Sequence, residues 1–139
     1  MKRNVNKQSF LLVTFLLVLF SVRANATSLD SNSTEVIHQE WTSLGESAQL
    51  IDFSARVVGC NGVNQVMLNL FNENPTQQTV TFSIRVLNVD GREFTTPFNY
   101  TIGLAEMNIA ACGDITYDNL KITLPGDYDA TTVQIFITF

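Results

Sequence analysis

From Ile51 to Phe139 apolar residues recur at every second position, run after run, and that spacing leaves few folds open. A period of two gives a strand one apolar face and one wetted face. Val80, Phe82, Ile84 and Val86 alternate with Thr79, Thr81, Ser83 and Arg85. Ile51, Phe53, Ala55 and Val57 alternate with Asp52, Ser54 and Arg56. Val66, Leu68 and Leu70 alternate with Met67, Asn69 and Phe71, so that strand is apolar on both sides in part. Phe94, Thr96, Phe98, Tyr100 and Ile102 alternate with Glu93, Thr95, Pro97, Asn99 and Thr101. Pro97 has no N–H to give to a ladder, which predicts an edge strand or an interruption there. Met107–Cys112, Leu120–Leu124 and Val133–Phe139 supply three further short strands, the last read as the final core strand. Val36–Leu44, with His38 and Trp41, reads as a first edge strand or a short helix, and strand is the preferred reading.

Turn chemistry separates these runs. Asn61-Gly62 and Asp90-Gly91 suit tight hairpin turns, and Asn72–Thr76 and Pro125-Gly126 are breakers. Seven to eight short strands without an amphipathic helix predict an all-β, antiparallel two-sheet sandwich, immunoglobulin-like in the broad sense. Trp41 precedes Cys60 instead of lying between Cys60 and Cys112, so the topology of antibody domains is not implied.

The start of the chain follows another rule. Lys2, Arg3 and Lys7 precede the apolar run Phe10–Phe20, and Ala24-Asn25-Ala26 is a small-x-small cleavage site. A spanning helix needs about 20 apolar residues, and this run is far shorter. Residues 1–26 therefore read as a cleaved signal peptide, 27–34 as a flexible leader and 35–139 as one sandwich domain. No transmembrane segment is expected in the mature chain, and the location is secreted or periplasmic, in the cell envelope. After Ala26 the chain has 113 residues, with 13 acids against Arg56, Arg85, Arg92 and Lys121, a net charge of −9. That charge disfavours nucleic acid and acidic lipid as partners.

Export places Cys60 and Cys112 in an oxidising compartment, where an even count predicts one disulfide. The exported chain, Trp41, Cys60-Asn61-Gly62, the run from Val66 to Asn74, Thr79-Val80-Thr81-Phe82 and Cys112 ahead of the last two strands together carry a resemblance. The chain resembles small exported single-domain proteins of Bacteroidetes-type bacteria, most of them uncharacterised. That resemblance implies compartment and sandwich fold, and it transfers no functional residue.

Chemistry is sparse. His38 is the single histidine and has no evident nucleophile partner, and one His with two distant Cys cannot frame a zinc site. There is no phosphate loop or dinucleotide fingerprint. No catalytic residue or cofactor is assigned. Asp114, Asp118, Asp127 and Asp129 lie on two loops and are calcium candidates, with solvated turns as the competing reading. Tyr117 and Tyr128 sit in the same loops and are candidates for stacking on a glycan. Further binding surfaces are the turns 61–65 and 72–76 and the loops 114–119 and 127–131. The expected role is a secreted non-enzymatic binding or accessory module for an unknown protein or glycan, acting through loops or an edge strand. The alternatives are a structural component of a cell-envelope assembly and, more remotely, a small hydrolase.

Overall fold

The computed structural model describes residues 33–139. The stretch read from sequence as a signal peptide, and the expected leader up to residue 32, lie outside the described residues. Eight strands follow within them: β1 (Glu35–Glu46), β2 (Ile51–Cys60), β3 (Val63–Asn72), β4 (Gln78–Leu87), β5 (Glu93–Ile102), β6 (Met107–Ile109), β7 (Lys121–Thr123) and β8 (Gln134–Thr138). One 3₁₀ turn, Asp118–Leu120, precedes β7. Among the described residues no helix is long and apolar enough to cross a membrane.

The strands form two antiparallel sheets. One has five strands in the order β1-β2-β3-β6, with β7 also on β3, and the other has three in the order β5-β4-β8. β6 pairs with Asn69–Phe71 and β7 with Gln65–Met67, so these two short strands lie end to end along β3. The alternating runs become the inner faces. Ile51, Phe53, Ala55 and Val57 of β2 meet Val80, Phe82, Ile84 and Val86 of β4 in one buried core. Removing such side chains from water is worth roughly 25 cal/mol per Å² of apolar surface, which drives the two sheets together.

Local sequence fixes the register. Asn61 and Gly62 both have positive φ, 52° and 83°, and close a two-residue hairpin between Cys60 and Val63. That geometry matches the twist of the flanking strands. Pro97 lies on β5, an unbroken edge strand, which resolves the two expectations for it. β1 is an edge strand with three register shifts against β2. Thr34, the last residue of the expected leader, is hydrogen-bonded to the hairpin, its N–H donating to Asn61 Oδ1 at 3.0 Å and its carbonyl accepting from Asn61 N–H.

Four aromatic rings cross the interior. Phe139 stands 5.2 Å from Phe53, Phe53 4.8 Å edge-on from Phe82, and Phe82 4.8 Å stacked on Phe98. Buried Asn108 on β6 meets the Tyr100 hydroxyl of β5 at 3.0 Å, a polar pin between the sheets. Burial raises the Tyr100 phenol above its ordinary range. β8 corrects the expectation of a core strand. It is the edge of the three-stranded sheet, with Ile135 and Ile137 only half-buried and Phe136 37% exposed. The reason is that sheet's width: no strand lies beyond β8 among the described residues.

Candidate functional site

Cys60 and Cys112 are joined by a disulfide, Cα to Cα 5.6 Å. It ties the end of β2 to the connection after β6, beside the anchored Thr34.

The two acidic loops are occupied by the protein's own cations and turns. Lys121 Nζ donates to Asp118 Oδ1 at 2.7 Å and also to the Asp114 carbonyl. The Thr116 hydrogen bonds hold the Asp114 carboxyl below its usual range. Arg92 pairs with both Asp90 and Asp127. The Arg92 hydrogen bonds bring Asp90 down to about 2 and also lower Asp127, while both carboxylates raise Arg92. Asp129 accepts from Thr131 N–H at 3.0 Å and from its hydroxyl at 2.7 Å, and those bonds lower its carboxyl. Among the described residues no three His, Cys, Asp or Glu groups converge as a metal site would require. Asp114 and Asp118 therefore meet around Lys121, and Asp127 meets Arg92, but the four do not come together.

The tyrosines are also engaged. Tyr128 is 8% exposed, packs edge-on against Phe94 at 5.6 Å and lies under the Arg92 guanidinium at 5.3 Å. Its ring fills the core margin and offers no stacking platform, which departs from the expectation of an exposed aromatic. Tyr117 is half-buried against the core. His38 Nε2 lies 3.0 Å from Asn64 Oδ1, a contact from β1 to β3 with no nucleophile in it.

A concave feature lies elsewhere, where the edges of the two sheets come side by side. A groove of about 240 Å³ runs between β1 and β8, lined by Gln39, Thr42, Leu44, Ala55, Val133, Gln134 and Ile135. The side chain of Gln39 crosses its end, with Nε2 donating to the carbonyls of Ala130 and Val133, each at 3.0 Å. A side-chain amide there satisfies carbonyls that a neighbouring strand would otherwise meet. Small-molecule pockets run to roughly 300–1,000 Å³. This groove is below that range and suits side chains of an added strand instead.

The four sheet edges differ in how they are protected. Exposed edges are usually blunted by bulges, proline, charge or brevity. β1 carries its register shifts, β5 carries Pro97 between Glu93 and Ile102, and β6 and β7 have three residues each. β8 is regular against β4 from Gln134 to Thr138 and has no proline and no charged side chain. Phe136 projects on its outer side with the Arg85 guanidinium 4.4 Å above the ring. Sequence reasoning named an edge strand as a possible surface but did not single out Gln39, Gln134 or Phe136. The signal available was the uncharged alternating run Val133–Phe139, which lacks any gatekeeper residue.

Comparison with known protein families, with curated proteins and with solved structures finds no match to this chain.

Proposed function

We propose that the chain is an exported, non-enzymatic binding or accessory module whose working surface is the open edge of β8 together with the β1–β8 groove. The observation that carries this reading is the contrast between β8 and the other three edges. A regular, uncharged edge beside a groove of mixed polar and apolar lining is the arrangement that accepts an extended segment, with main-chain bonds for affinity and alternate side chains for specificity. The engaged states of Tyr117, Tyr128 and the four aspartates draw the reading away from the loops. His38 contacts Asn64 in place of a nucleophile, which supports a non-enzymatic reading.

The second reading is a structural component of a cell-envelope assembly. The same edge favours it, because strand addition makes long-lived joints between subunits. The test is a crosslinking pulldown from the native host envelope with the chain tagged at its mature N-terminus, beside a Phe136→Lys variant. A protein retained by the parent chain and lost from the folded variant supports the edge as the working surface. Equal retention by both overturns it. A stoichiometric envelope complex in place of a transient ligand favours the structural reading.

A further inference from the structure

We infer that the occupant of the β8 edge is a second copy of the same chain, joined by antiparallel β8–β8 pairing about a two-fold axis at Phe136. This rests on the reading that β8 is the working edge. Three observations lead to it.

The first is self-complementarity. An isologous interface must match itself under its own two-fold. Centred on Phe136, the pairing sets Ile135 opposite Ile137 of the second copy on the inner face. On the outer face it sets Phe136 opposite Phe136, and Gln134 opposite Thr138. Ile135 and Ile137 point inward beside Val86 and Ile84, and Phe136 points outward beside Arg85. Apolar residues thus meet apolar residues on both faces, and aromatic and β-branched cross-strand pairs stabilise sheets.

The second is space. Ile137 of the second copy comes beside Ile135, at the groove whose apolar lining is Leu44, Ala55 and Val133 and whose polar lining is Gln39, Thr42 and Gln134. The three-stranded sheet gains the strand it lacks, and the two copies share one continuous six-stranded sheet.

The third is charge. The 113 residues after Ala26 carry a net charge of −9, which opposes association, so a joint between two copies has to form on a surface that brings no further like charges together. Val133–Phe139 is such a stretch, seven residues without an ionisable side chain. Arg85 stands over one side of Phe136 and is itself paired with Glu93 at 2.8 Å, so no net charge is added at the joint.

The experiment is sedimentation equilibrium on the oxidised, exported chain from low to high micromolar concentration. Phe136→Lys and Phe136→Leu variants are run alongside, each checked for an unaltered circular dichroism spectrum. The parent chain and Phe136→Leu should be dimeric. Phe136→Lys should weaken the dimer by about tenfold or more, because it removes an aromatic pair and opposes two like charges at the centre of the joint. Amide exchange at residues 134–138 of the parent chain should slow as concentration rises, a readout that needs no variant. A parent chain monomeric throughout, or a dimer indifferent to Phe136→Lys, overturns the inference. For a monomeric parent chain, a lysine-flanked peptide carrying Val133–Phe139 is then titrated against it. Binding leaves β8 as a working edge for another partner, and absence of binding overturns self-pairing alone, with the pulldown against Phe136→Lys deciding the edge itself.

Discussion

The ring of Phe139 rests 5.2 Å from that of Phe53, so the residue after β8 closes the far side of the aromatic row that fills the core. Phe53 is 2% exposed and Phe139 54% exposed, and the two substitutions should separate accordingly. Phe53→Ala should cost about 3–5 kcal/mol, the usual range for a buried phenylalanine. Phe139→Ala should cost about 1–2 kcal/mol, from partial burial and one aromatic pair. Deleting residues 133–139 removes the whole of β8 and should abolish cooperative melting. Urea denaturation of the three forms checks the order, and a cooperative transition in the deletion would contradict it.

The Cys60–Cys112 bridge closes a 52-residue separation. On the chain-entropy account its loss should cost about 4 kcal/mol. The Cys60→Ser, Cys112→Ser double variant should therefore unfold at distinctly lower urea. Thiol labelling of the native parent chain should find no free thiol without reductant.

Gln39 is the tie between the two sheet edges. Gln39→Ala leaves the carbonyls of Ala130 and Val133 without their donor and should cost about 1–2 kcal/mol. The effect should be local: amide exchange should quicken at residues 130–135 and stay unchanged along the β2–β3 hairpin. Uniform acceleration across both sheets would show that the tie is not local.

Acid should act in two opposite steps. The Asp52 hydrogen bond and charge raise the Glu73 carboxyl in the folded chain. A raised folded value means stability is present at low pH and lost as pH rises through that value. The melting temperature should therefore climb as pH falls from neutrality through the Glu73 titration, and Asp52→Asn should flatten that climb. Asp90, Asp114, Asp127 and Asp129 are lowered, Asp90 to about 2. Their contribution is present above the ordinary carboxylate range and is lost as pH falls through the folded values. The melting temperature should drop below about pH 4, where unfolded aspartates begin to take up protons. A profile falling steadily from pH 7 would contradict the Glu73 assignment.

Much of the fold is legible in the residues because alternation and turn chemistry are local. The Asn61-Gly62 hairpin, the edge position of Pro97 and the inner faces of β2 and β4 all follow from neighbours in sequence. The pairing of β4 with β8 does not, since Ile84 and Ile137 are far apart in the chain and alternation carries no address. The same limit hid the engagement of the loops. Aspartate favours turns by itself, and only the fold brings Arg92 to Asp127 or Phe94 to Tyr128. The groove was invisible for the same reason, being made by two edges from opposite ends of the domain.

The β4–β8 pairing also sets an order of assembly. The β2–β3 and β4–β5 hairpins can close within microseconds of their strands being present. β8 is synthesised after every strand it must join. Until it arrives, one flank of β4 and the ring of Phe53 stand uncovered, and closing such distant pairs is the slow step of β-rich folding. The hazard for this chain lies in that interval, when a half-built sheet can capture the wrong strand.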